Sequence, residues 1–490
     1  MKVQTHQSFL SGLPEGDTHP YRSGAWQPQT TEYDAWDLDV KGEIPQDLAG
    51  TYLRNTENPL LASPERYHPF DGDGMLHSIT FAAGDAQYHN RFVATDGFQA
   101  ERQANTPLYA GFTEFQRLQE LKQASNINLW PNMKDASSTD VVVHRGQALT
   151  SFWLCGDLYA FDPVSLEAQG RADFGGKFPK DGVSAHTKID ENTNEMLFFN
   201  YGVDAPYMHY GEIDAQGKLA HYREVLLDGP RMPHDMAFTE NFAIVNAPSL
   251  FFDPKLLKAG IQLPRFFPDV PTRFGIIPRR GDGAVRWFDA QPTFVLHWIN
   301  AYEDGDEIVL DGFFQDNPMP KGDPNWTIDQ TILKNTLDLH AIKAYPHRWR
   351  FNMVTGATKE ERLSDRIQEF GMINGKFGGR RNRYSYNALP CKGWFGFEGI
   401  IKQDLVTGSE QVLELPAGVY ASETVMAPRI GSTAEDDGYL ITFTMDLNND
   451  SSQCLILDAQ NPNAEPLAIV SLPERISSGT HAFWQPQAVQ

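Results

Sequence analysis

The chain has 490 residues, 41% of them hydrophobic and 12% aromatic, enough for a sizeable core and outside the range of disordered proteins. Its formal charge of −23 repels phosphate backbones and argues against nucleic acid as a partner. Three widely spaced cysteines, Cys155, Cys391 and Cys454, form neither a disulfide framework nor a cysteine zinc site and read as reduced thiols of a cytoplasmic protein.

From the N-terminus, "MKVQTHQSFLSGLPEGDTHPYRSGAWQP" has no apolar h-region, so no signal peptide is expected. Residues 1–35 read as an N-terminal extension. In "FDGDGM", Asp71, Gly72, Asp73 and Gly74 begin like a calcium loop, but no glutamate follows at the twelfth position. A tight turn using glycine at positive φ is expected instead. Two stretches, "FQRLQELKQASNINLW" (115–130) and "FFDPKLLKAGIQLPRFFPDV" (251–270), gather large apolar residues among a few Lys and Arg. Each suits either a packed cap over a core or a segment lying on a bilayer. Helix is expected near 113–124 and 254–260 only. No apolar run reaches the roughly 18 residues of a membrane helix.

Elsewhere short apolar runs end in turn signals, as in "ALTSFWLCGDLYAFDPVSLE", "FAIVNAPSLFF" and "GYLITFTMDLNNDSSQCLILDAQN", which is the strand-and-hairpin signature. "TFVLHWINAYEDGDEIVLDGFF" (293–314) reads as one hairpin with its turn at Glu303-Asp304-Gly305-Asp306. The expected fold class is all-β. The length favours a propeller of roughly six to eight four-stranded blades over a barrel or sandwich. No Pro/Ser-rich linker divides the chain, so a single domain spanning 1–490 is expected, with propeller and cap over about 36–484.

Four histidines stand beside small or apolar residues: His186 in "VSAHTKID", His234 in "RMPHDMAF", His297 in "FVLHWINAY" and His481 in "SGTHAFW". Others, such as His6, His221 and His347, read as polar-loop residues. An imidazole inside an apolar strand, as expected for His297, is expensive unless both ring nitrogens are satisfied. The spacing is too wide for a local zinc motif, but inner strands of a propeller would bring one histidine per blade to the axis. Imidazole suits first-row metals, and carboxylates one layer out can orient the rings. Glu369 in "RIQEFGMING" and Glu423 in "YASETVMAPR" are candidates. Iron(II) tolerates six-coordination, so four histidines would leave positions for dioxygen or substrate. Any one of these histidines alone is better read as a core residue, and the argument rests on the set.

The segments "GTYLRNTENP" (50–59), "YHPFDGDGML" (67–76), "SAHTKID", "PHDMAF", "FVLHWINAYEDGDEIVLDGF", "AEDDGYLITFTMD" and "GTHAFW" run in one order along nearly the whole chain. Together they resemble the carotenoid cleavage oxygenase family. That resemblance implies a seven-bladed β-propeller with a loop and short-helix cap over an axial iron(II), one per chain, held by His186, His234, His297 and His481. It implies dioxygen activation and scission of a conjugated carbon–carbon double bond into two carbonyl products. Glu369 would orient His297, and Glu423 would orient His481. A third glutamate is usual where this chain has Trp153-Leu154, so Asp157, a backbone carbonyl or a water would have to serve His234. Thr139 in "SSTDVVV" matches a threonine near the open coordination site. The 115–130 and 251–270 stretches become a candidate membrane-facing rim of a cytoplasmic, peripherally associated protein.

The stilbene- and isoeugenol-cleaving branch of that family engages a phenol with a tyrosine and a lysine. Those positions fall here on Phe112 and Trp153, flat apolar groups that suit a polyene in the substrate tunnel. A carotenoid or apocarotenoid is therefore the expected substrate, beside dioxygen. The alternatives are cleavage of a stilbene or phenylpropanoid, isomerisation at the same site, and a non-catalytic propeller acting as a binding scaffold.

Overall fold

A computed structural model describes residues 1–490 except 62–65, 115–119, 121–132, 180–181, 259–263, 323–324, 326–330, 332, 334–335 and 488–490. The chain forms two compact units. One comprises Met1–Asp173, Leu415–Thr433 and Asp437–Gln490, and the other Phe174–Glu414 with Ala434–Asp436.

The first unit carries a six-stranded antiparallel sheet in the order Lys2–Ser8, Thr31–Trp36, Asp85–Phe92, Gly74–Ala82, Gly50–Glu57 and Ala482–Pro486. A second sheet of four strands covers Asp140–His144 to Ala168–Arg171. Further strands run in the order Val419–Ala421, Gly438–Asp446, Ser451–Asp458, Ala468–Ser471 and Val40–Gly42. Gly50–Glu57 is buried along its whole length, including the polar run Arg54-Asn55-Thr56-Glu57. Alternation therefore cannot reveal it, because both faces are covered.

The second unit repeats one plan. Four antiparallel meanders follow one another, beginning at Lys188–Asp190, Ala237–Phe238, Trp298–Asp304 and Glu369–Met372, and each adds three further strands outward. A separate ribbon pairs Leu250–Phe252 with Pro264–Phe266. Aromatic and branched side chains such as Phe274, Trp298, Leu310 and Trp349 fill the core between these sheets. Each buried large apolar side chain contributes about 1.5–3 kcal/mol.

Several expectations need correction. The hairpin at 293–314 forms, with Asp304 paired to Glu307 across a Gly305-Asp306 turn, but its first strand starts at Trp298 and leaves His297 just outside. The Trp298 N–H donates to the carboxylate of Asp235, a residue far away in sequence, instead of a neighbouring strand. His6, His221 and His347 lie in strands, not loops. A helix that the sequence reading missed spans Asp96–Ala104, capped by the Thr95 side chain accepting from the Phe98 N–H. Of the two expected helices, Pro254–Lys258 is present, whereas the 113–124 piece and the 115–130 stretch lie almost entirely outside the described residues. "FDGDGM" does turn tightly, through a 3₁₀ turn at Pro69–Asp71, but Gly72 and Gly74 keep negative φ. They are needed for close approach: a Cβ on Gly74 would sit 2.7 Å from the Ser137 carbonyl oxygen. Among the described residues no helix is long and apolar enough to cross a membrane.

Candidate metal centre

In the second unit, His186, His234 and His297 each stand just ahead of the first strand of a meander, at Lys188, Ala237 and Trp298. All three are buried. His186 adopts φ 66°, a left-handed conformation that costs a non-glycine residue about 1–3 kcal/mol and persists where surroundings enforce it. Its Nε2 faces the Nε2 of His234 at 3.2 Å. The His297 ring lies 5.0 Å from that of His186 and 5.3 Å from that of His234, centroid to centroid.

His297 Nδ1–H donates to Glu369 Oε2 at 2.6 Å, which puts the ring's lone pair on Nε2. The same carboxylate oxygen accepts from the Phe370 N–H at 2.7 Å, and Glu369 is fully buried. Phe370 was not singled out from sequence. It takes φ 54° and lays its ring 4.4 Å from that of His297, with Phe395 and Phe397 packed behind it. Its only sequence signal is its place directly after Glu369.

This donor set fits a metal ion. Two nitrogens each about 2.1 Å from one ion and at right angles lie about 3 Å apart, close to the separation of the His186 and His234 nitrogens. Three buried imidazoles with one braced by a buried carboxylate can hold a divalent cation, because the glutamate offsets charge that neutral rings cannot.

In the first unit, His481 directly precedes Ala482–Pro486. Its Nδ1 lies 3.3 Å from Glu423 Oε1, and Glu423 Oε2 accepts from the Ala482 N–H at 2.5 Å. The neighbouring Thr480 hydroxyl donates to the Thr139 carbonyl at 2.6 Å, and the Asn55 N–H donates to the His481 carbonyl at 2.9 Å. Thr139 Oγ1 accepts from the Trp153 N–H at 3.0 Å. Trp153 and Phe112 pack edge to face, with centroids 4.9 Å apart, and Phe70 flanks Trp153. Asp157, considered as a stand-in for the missing glutamate, is committed to Arg171 at 2.9 Å.

Residues 26–486 match the profile of the family described as retinal pigment epithelial membrane protein. The chain belongs to this family, that of the carotenoid cleavage oxygenases. It is 32% identical to carotenoid 9,10(9',10')-cleavage dioxygenase 1 of Pisum sativum, over 99% of this chain and 92% of that protein. It is 29% identical to isoeugenol monooxygenase of Pseudomonas nitroreducens, over 96% of this chain and 98% of that one. A cobalt-substituted structure of the Synechocystis apocarotenoid oxygenase superposes with a TM-score of 0.80 at 26% identity, covering 94% of this chain and 97% of that one. In this member of the carotenoid cleavage oxygenase family, then, three buried histidines stand close enough together to hold a metal ion.

Proposed function

We propose that this chain is a non-haem iron(II) dioxygenase that splits a conjugated double bond of a carotenoid or apocarotenoid into two aldehyde or ketone products. The observation that carries the reading is the cluster of His186, His234 and His297, with His297 braced by Glu369 at 2.6 Å, in a chain of this family. We read His481, beside Glu423, as the fourth ligand and the successive meanders as blades of a seven-bladed propeller capped by loops. Four neutral imidazoles suit iron(II), which accepts six ligands and so keeps positions for small molecules. When bound, the iron supplies dioxygen activation.

The chain's own residues then have separate tasks. Glu369 and Glu423 fix ring orientation and keep a proton on each Nδ1. Trp153 and Phe112 give the tunnel a flat apolar wall that admits a polyene and excludes water. The Thr139 hydroxyl, steered by the Trp153 N–H, stands at the open side of the site. Leu256, Leu257, Phe266 and Phe267 are only partly buried, which supports a peripheral membrane contact through 251–270, where an oily substrate would enter a cytoplasmic enzyme.

The phenolic alternative, favoured by the likeness to the isoeugenol enzyme, needs a group to pair with a phenolate. Neither Phe112 nor Trp153 provides one. The deciding experiment is metal analysis of the purified protein, then aerobic incubation with a full-length carotenoid, an apocarotenal and a hydroxystilbene. One iron per chain and aldehydes from polyenes alone are expected. Products from the hydroxystilbene alone would replace the carotenoid reading, and no iron after anaerobic reconstitution would remove the dioxygenase reading altogether.

A further inference from the structure

The three histidines of the second unit start three different meanders, so no shared strand ladder holds them in register. Asp235 links them. It follows His234, is 1% exposed, and divides its carboxylate among three segments. Oδ1 accepts from Lys188 Nζ at 2.7 Å, and Lys188 lies two residues past His186. Oδ2 accepts from the N–H of Trp298, the residue after His297, at 2.9 Å. Oδ1 also takes the Met236 N–H at 2.7 Å, which anchors the carboxylate to its own segment. The Asn246 side-chain amide donates to the Asp235 carbonyl at 2.9 Å, tying that segment to the next strand outward.

The chemistry of the group suits this task. A carboxylate offers about four acceptor sites, so one side chain can bind donors from several directions. In a buried setting those bonds are stronger than in water, and leaving one unmade is costly. Pairing with Lys188 keeps the clamp neutral overall. A different buried ion pair in the same unit shows the contrast. Arg348 and Asp311, 2.7 Å apart, join two adjacent strands already paired by their backbones.

We infer that Asp235 is a positioning residue for the metal centre, fixing the segments of His186, His234 and His297 so that their ring nitrogens meet at one point. The inference rests on reading those histidines as ligands. Its test uses the purified full chain, stripped of metal and loaded with cobalt(II), following affinity, visible spectrum and the melting temperature of the metal-free protein. D235N and K188M should bind cobalt about 10–100-fold more weakly and shift its spectrum. R348Q should lower the melting temperature while keeping parental affinity and spectrum. If D235N and K188M lose only melting temperature, as R348Q does, Asp235 is merely structural and the inference falls. If D235N does not fold, K188M decides alone, since it leaves both backbone N–H bonds to the carboxylate in place. H297A separates the underlying reading: parental cobalt binding in that variant would overturn the ligand assignment itself.

Discussion

The two units hold their histidines by different means. In the second, charge dominates: Glu369 grips the His297 ring at 2.6 Å, and the Lys188–Asp235 pair spans the segments. In the first, Glu423 stands 3.3 Å from the His481 ring and gives its shorter bond to the Ala482 N–H. There the backbone around His481 is fastened instead, through Asn55, Thr480 and Thr139. A short carboxylate bond both orients an imidazole and raises its basicity, whereas a fastened backbone only orients it. The same residue type is thus tuned by a short carboxylate bond in one unit and held mainly through its backbone, with a longer carboxylate bond, in the other.

The largest effect should come from H297A. Isolated protein should contain almost no iron while its far-ultraviolet circular dichroism stays that of the parent. Next, E369Q should weaken metal binding by about 10–100-fold in a chelator competition, whereas E423Q should cost less than about tenfold. Equal losses would erase the distinction between a tuned and a backbone-held histidine. T480V removes the hydroxyl donor to the Thr139 carbonyl, leaving that buried acceptor only the longer bond from the His481 N–H, and should cost about 1–3 kcal/mol in denaturant unfolding. Metal affinity should fall less in T480V than in E369Q.

The smallest effect is in the pH dependence of stability, where two aspartates should act in opposite directions. Burial pushes the Asp71 carboxyl in the first unit up to about 7. Because the folded state holds that proton more tightly, its contribution is complete below the ordinary carboxylate range and is lost as pH rises through about 7. The melting temperature of D71N relative to the parent should therefore rise between pH 5 and 8. At Asp404 in the second unit burial pushes upward, but hydrogen bonds from Arg383 and from the Thr407 and Val406 N–H groups outweigh it and hold the carboxyl at about 2. Its contribution is present above the ordinary range and lost as pH falls from about 4 to 2, so D404N should flatten that acid limb. Parallel responses from both variants would refute the opposed signs.

The all-β character was legible because strands announce themselves through neighbouring residues, and the types of residue at the centre stood out as imidazoles in apolar surroundings. Pairings were less accessible. His297 and Glu369 are 72 positions apart, and the resemblance to a family, not any local pattern, joined them. Asp235 and Phe370 escaped notice because an aspartate beside a histidine and a phenylalanine beside a glutamate are ordinary neighbours. Their roles come from three-dimensional approach and, for Phe370, from a positive φ that sequence does not display. The start of the His297 strand was misjudged for a related reason: a side chain 63 positions earlier captured its first N–H.

The six-stranded sheet of the first unit has a consequence for how the protein is made. Its strand Gly50–Glu57 is completed only by Ala482–Pro486, in a register that sets Ala482 opposite Arg54. Contacts so distant in sequence form slowly, since a long loop must close before they contribute. Until that happens, a buried-type strand with an unfilled edge is open to other chains, which is the usual template for aggregation. Chains cut short of residue 482 should accordingly be recovered as insoluble material, and slow, cool expression should favour the soluble protein.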